Sequence, residues 1–310
     1  MPWRTILFAK STVRLGWKEE DALGGLVLAL SSFALAWPIF GAKYLPFVDY
    51  PQHLAAIAAI HGASDPRFAP YFAVDLTGSQ YLLIYFVGSL LATPFGVDGA
   101  GRLLVWLSAA SLPWAVAWFL REHGRPALLG TFAAAIALHI YVFWGFLNYV
   151  AGMSLAIAAL AGLAGFTKRG GWKRGVLCSV LVLLCFYAHA QAYLWLVASA
   201  LIQWLAMLPR LGWRLGWWRA LASLLIGVPS AVGAFLWVWT SGVLEHGEAG
   251  LRSGHASQMA SVPPVFIPIH DTLRSWLDHS FGMYVDGGGR VDSLFILCHF
   301  AVPHCHPRKS

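Results

Sequence analysis

The chain has 310 residues, of which 58% are hydrophobic and only 11% charged, against roughly 25% charged in soluble domains. That composition excludes a water-soluble globular protein and predicts an all-α integral membrane protein, because several charge-free runs reach the roughly 20 residues that cross a bilayer. The net charge of +7 does not point to nucleic acid: most Lys and Arg fall in short loops between apolar runs, where positive charge marks the cytoplasmic side.

Residues 1–21 form a basic start, with Arg4, Lys10, Arg14 and Lys18, which sets the N-terminus in the cytoplasm. It runs into "DALGGLVLALSSFALAWPIF" without a small-residue cleavage site, so residues 22–40 read as a retained first span. An outer loop, 41–101, follows. It carries "FVDYPQHLAAIAAIHG" (47–62) and "QYLLIYFVGSLLATPFGV" (80–97). The second of these is just long enough to span. Were it to cross, every later loop would change sides and "TKRGGWKR" would lie outside, so it is read as a juxtamembrane or re-entrant helix.

Residues 103–120 form the second span. Residues 127–166 and 175–209 then carry no Lys, Arg, Asp or Glu. As a single helix each would run roughly 50–60 Å, nearly twice the hydrocarbon core. Basic clusters flank both runs at both ends, so each is predicted to be a hairpin. The spans are 127–144 with 147–166, and 176–189 with 191–208, turning outside at "FWGFLNY" and "FYAHAQAY". A seventh span, 219–240, completes a transmembrane domain over 22–240, and "GWRLGWW" before it reads as an interfacial aromatic belt. A second outer loop (241–290) and a partial eighth span within 291–310 close the chain. Cys178 and Cys185 read as small buried hydrophobes. The ending "CHFAVPHCHPRKS" gathers Cys298, His299, His304, Cys305 and His306 at spacings that match no compact zinc motif. Its abrupt change of character is read as a truncated or frame-shifted end.

This topology collects the unusual polar residues on the outer face. Asp49 and His53, at i and i+4, point the same way from one helix. Asn148 lies at one outer turn, His189 and Gln191 at the other, and Arg102 where the chain re-enters the membrane. Plain structural roles compete. Asp49 before "YPQ" is a good N-cap with Pro51 in the first turn, His139 and His189 fit as satisfied core groups, and Arg102 fits as a residue reaching for headgroups. In the functional reading these groups share a pocket. Asp49 there serves as a general base for a hydroxyl, or holds a divalent metal such as Mg or Mn, and the arginine pairs with a phosphate.

The order of these features resembles the family-C glycosyltransferases, polytopic enzymes that use polyprenyl-phosphate-linked sugars. "PFVDYPQHLA" is similar to the opening of their first outer loop, with its functional aspartate at Asp49. Residues 80–97 resemble their juxtamembrane helix, and "GAGRLLVWLSAASLPWAVAWFLREHGR" resembles their arginine-led second span. "WGFLNYVAGMSLAIAAL" and "CFYAHAQAYLWL" resemble segments of bacterial members. The resemblance covers residues 20–240. It implies transfer of a sugar from a polyprenyl-phosphate donor to a hydroxyl acceptor at the outer face of the cytoplasmic membrane. Asp49 and His53 would be catalytic, Arg102 the phosphate contact, and Asn148, His189 and Gln191 pocket residues. Two features depart from the family: "FWGFLNY" lacks the second acidic motif, and the chain is shorter than most members, which leaves open an inactive product. Two other classes stand beside it. A transporter would place polar groups on broken helices near the midplane, and a non-catalytic fragment or assembly subunit would leave Asp49 facing water.

Overall fold

A computed structural model describes residues 17–66, 81–211 and 213–240. The expected second outer loop (241–290), the partial eighth span and the terminal Cys/His group lie outside the described residues. Among the described residues every regular element is helical, and five helices are long and apolar enough to cross a membrane. Helix is the form that satisfies each backbone N–H and C=O within its own segment where water is absent.

In chain order the α-helices are α1 (Trp17–Gly41), α2 (Tyr50–His61), α3 (Leu82–Glu122), α4 (Ile140–Trp144), α5 (Leu147–Arg169), α6 (Trp172–Ala188), α7 (Ala190–Leu211) and α8 (Trp213–Thr240), with a 3₁₀ helix at Ala127–Ile136 between α3 and α4. The spans expected at 22–40, 147–166, 191–208 and 219–240 fall within α1, α5, α7 and α8. The one expected at 176–189 falls in α6, whose 17 residues reach about 25 Å.

Two segments differ from expectation. The segment expected as a span at 127–144 is not one α-helix. It runs as the 3₁₀ helix, breaks, and finishes in the five residues of α4. A 3₁₀ helix rises about 2.0 Å per residue, so its ten residues cover about 20 Å and α4 adds about 7 Å. The stretched form thus reaches nearly as far as an 18-residue α-helix. Gly130 seats it on α3, where an added Cβ would lie 2.6 Å from the backbone nitrogen of Ala117. The second difference concerns 80–97. That segment is a helix, but it is joined end to end with the second span into α3, interrupted only at Gly96, whose φ of 70° and ψ of 171° are open to glycine and costly for other residues.

The bundle centres on α5, which packs against α3, α6 and α7. Its buried face is built of small residues, among them Gly152, Ala156, Ala159, Gly162 and Ala164, which let helix backbones approach where no hydrophobic effect drives them together. Cys178 and Cys185 of α6 are buried against this face, their thiols near the carbonyls of Ala159 and Gly152 at 3.6 and 3.5 Å. Two indoles fasten α1 to α3: Trp106 donates to the Ser32 carbonyl (2.8 Å) and Trp114 to its hydroxyl (2.9 Å). The short helix α2 lies on α3 across Gly88 and Gly101. Added Cβ atoms there would meet Ile57 at 2.7 Å and Leu54 at 2.4 Å.

Gly130→Ala is expected to lower the stability of the purified protein by about 1–3 kcal/mol, because the obstacle is backbone and cannot rotate away. Gly25→Ala, which meets nothing within 4 Å, is expected to leave stability unchanged or raise it by up to about 1 kcal/mol. Thermal melts of the two variants in one detergent compare them.

Candidate functional site

Helices α2, α3, α4, α5 and α7 begin at one end of the bundle, where α6 finishes. Asp49 begins α2, Tyr81 precedes α3, His139 precedes α4, Phe146 precedes α5 and His189 separates α6 from α7. The strand of chain before α2 is fixed to this end by Val48, whose N–H donates to the carbonyl of Phe143 (2.9 Å).

Asp49 stands at the N-cap of α2, yet its side chain makes no capping hydrogen bond. The expected cap is therefore corrected. At φ −92° and ψ 3° the residue is outside the extended region that N-caps favour, and its carboxylate is left half-buried without a hydrogen-bond or ion-pair partner among the described residues. Its backbone is held instead by Gly145, in the left-handed region at φ 88°. A Cβ on Gly145 would come within 2.7 Å of the Asp49 nitrogen and Cβ, so this contact and this conformation both exclude a larger residue.

His53, one turn on, is only 8% exposed and sits in a directed chain of hydrogen bonds. Its Nε2 lies 2.6 Å from the Gly145 carbonyl. A carbonyl only accepts, so Nε2 carries the proton and Nδ1 is free to accept. Nδ1 takes the hydroxyl of Tyr85 (3.1 Å), and that oxygen accepts in turn from Asn148 Nδ2 (3.4 Å). Asn148 is likewise 8% exposed, and its Oδ1 is buried with no partner among the described residues. The Tyr85 hydroxyl is also within electrostatic reach of the Asp49 carboxylate. A buried acceptor without a donor is costly, by about 1–3 kcal/mol, and calls for an explanation.

The histidines at the other turns cap helices. Nδ1 of His139 accepts from the Tyr141 N–H (3.1 Å) and Nδ1 of His189 from the Gln191 N–H (3.2 Å). Each imidazole therefore keeps its remaining proton on Nε2. His189 is flanked by Tyr81 and Tyr149 at ring separations of 5.0 and 5.2 Å, and Tyr149 meets Tyr141 at 5.7 Å. This aromatic wall joins the His53 network at two places, since Tyr81 is four residues before Tyr85 and Tyr149 follows Asn148. Gln191 is exposed; the bond that places it comes from its backbone.

Arg102 is 13% exposed and engaged at the end of α1. Its Nη1 donates to the carbonyls of Ile39 and Ala42 (2.7 Å each), its Nη2 to that of Lys43 (2.9 Å), and its Nε to Asp98 (2.7 Å). Four of five guanidinium donors are thereby committed, and a phosphate would have to compete with them. Asp98 also accepts from Tyr50 (3.3 Å). Burial, seconded by this carboxylate, pushes the Tyr50 phenol well above its ordinary pKa, so it stays a donor.

The structure thus brings Asp49, His53, Asn148 and His189 to one end and ties them through Tyr85, Gly145, Tyr81 and Tyr149. Those last four escaped the sequence reading. The spacing of Tyr81 and Tyr85, the same i, i+4 step as Asp49 and His53, was the available signal. No three His, Cys, Asp or Glu side chains converge to hold a metal ion among the described residues. Comparison with protein-family models, curated proteins and solved structures gives no match to this chain.

Arg102→Gln should leave α1 carbonyls without donors and cost about 1–3 kcal/mol. A melt within about 0.5 kcal/mol of the parent would show that those bonds carry no stability.

Proposed function

We propose that this chain is a multi-pass membrane glycosyltransferase whose site faces away from the cytoplasm, and that Asp49 is the proton acceptor. The observation that carries the reading is the Asp49 carboxylate itself: placed at a helix N-cap, half-buried, and spent on no cap, ion pair or hydrogen bond among the described residues. A structural aspartate would be bonded; one reserved for a substrate hydroxyl is free to receive it.

In this reaction the acceptor O–H proton passes to the Asp49 carboxylate as the acceptor oxygen bonds to the anomeric carbon of the sugar. The bond from that carbon to the phosphate oxygen breaks, and its electron pair leaves on the polyprenyl phosphate. His53, Tyr85 and Asn148 form the inner wall of the site, and the rings of Tyr81, Tyr149 and His189 the outer wall, a surface suited to the apolar face of a sugar. An open apolar groove of about 570 Å³ along α1, α3 and α5, lined by Trp106, Trp114 and Trp118, suits an isoprenoid chain entering sideways from lipid. Arg102 holds α1 to α3 in this scheme and is not assigned the phosphate.

Asp49→Asn, reconstituted in liposomes with a panel of radiolabelled polyprenyl-phosphate sugars, is expected to lose sugar transfer at least about 100-fold. Its thermal stability should stay within about 0.5 kcal/mol of the parent, because no cap is removed. A loss near 1 kcal/mol, as for a true N-cap, together with unchanged transfer, would return Asp49 to a structural role.

A further inference from the structure

We infer that Tyr85 is a positioning residue, which acts through His53 to hold the Asp49 corner of the site. The argument follows the direction of the hydrogen bonds. Asn148 donates to Tyr85, Tyr85 to Nδ1 of His53, and Nε2–H of His53 to the carbonyl of Gly145. Each donor in this series has one acceptor, and the series ends on a group that can only accept. Reversing the Tyr85–His53 step would require protons on both ring nitrogens. The bond to the Gly145 carbonyl places a proton on His53 Nε2, and with Tyr85 donating, Nδ1 is the acceptor.

The last link is mechanical. Gly145 is pressed against the backbone and Cβ of Asp49, closely enough that an added Cβ would lie 2.7 Å from both the nitrogen and Cβ of that residue. Moving the Gly145 carbonyl therefore moves Asp49. The aspartate makes no side-chain bond that would hold it against such a shift. Its location depends on its neighbours, and the neighbour that His53 grips is Gly145. His53 is then a brace rather than a proton carrier: its protonated nitrogen is bound to a carbonyl and its other nitrogen is filled by Tyr85. Asp49 is left as the proton acceptor of the proposed reaction. Tyr85 is suited to the task because it begins α3, the helix on which α2 lies, and so measures the distance between those helices at the site.

The kinetic part of this inference rests on the transferase reading; the tautomer part does not. The test uses the full chain in lipid nanodiscs, labelled with ¹⁵N-histidine, with His53 identified by the signals lost in His53→Gln. The expected wild-type spectrum shows His53 protonated at Nε2, with Nδ1 carrying the upfield displacement of a hydrogen-bond acceptor. In Tyr85→Phe that displacement should vanish while Nε2 stays protonated, and sugar transfer should lose about tenfold in kcat with KM within about twofold. A merely structural tyrosine would change melting without changing the Nδ1 signal. Should Tyr85→Phe fail to fold, Asn148→Ala, which removes the donor to Tyr85, is read in the same way and should move Nδ1 in the same direction by less. An Nδ1–H tautomer in the wild type, or an Nδ1 signal indifferent to Tyr85→Phe, would overturn the inference. A wild-type protein with the expected tautomer that transfers no sugar from any donor would overturn the transferase reading and leave the His53 lock supported.

Discussion

A helix that ends at the edge of hydrocarbon leaves up to four N–H or four C=O groups with no partner in its own backbone, and lipid offers none. Much of this structure answers that constraint with long side chains sent from one helix to another's end. Arg102 of α3 gathers three carbonyls at and beyond the end of α1. Arg219 of α8 does the same for α5, donating to the carbonyls of Thr167 and Lys168. At N-termini the donors belong to the backbone, and the acceptors are imidazoles: His139 for α4 and His189 for α7. Each of these side chains joins two tasks, since the residue that completes one helix also fixes where the next one stands. Glu122 closes the far end of α3 in the same spirit, pairing with Arg169 of α5 at 2.6 Å.

His139 and His189 cap α4 and α7, but the carboxylate at the start of α2 makes no capping bond, and its helix is held by burial of Ile57 and Tyr50 and by the bond from His53 to Gly145. A stable seat for an idle carboxylate needs such support from elsewhere. The buried Oδ1 of Asn148 is a second departure from full satisfaction, at a residue hydrogen-bonded to the same tyrosine.

Much of the architecture was legible in the sequence because charge and apolar run length are coarse quantities that the bilayer enforces directly. The two uncharged runs were too long for single spans, and each is broken, at Gly145 and at His189. The 3₁₀ form of Ala127–Ile136 was not legible, since its alanines favour an α-helix and its close packing on Ala117 through Gly130 is a fact of tertiary structure. The cap on Asp49 was misjudged for a related reason: residue type and the following proline predict a cap, but the φ and ψ that withhold it come from the contact with Gly145, far along the chain. Tyr85 was hidden by its setting. A tyrosine in an apolar helix looks like a boundary residue until the helix beside it presents a histidine.

The break in α3 at Gly96 has a neighbour that changes its meaning. Helix α2 lies against Gly88 on one side of the break and Gly101 on the other, and His61 at its far end reaches the Ser89 carbonyl at 3.1 Å. It is a splint across a fracture. Because Asp49 and His53 stand at the head of that splint, the junction of the two halves of α3 and the seat of the Asp49 corner rest on one short helix.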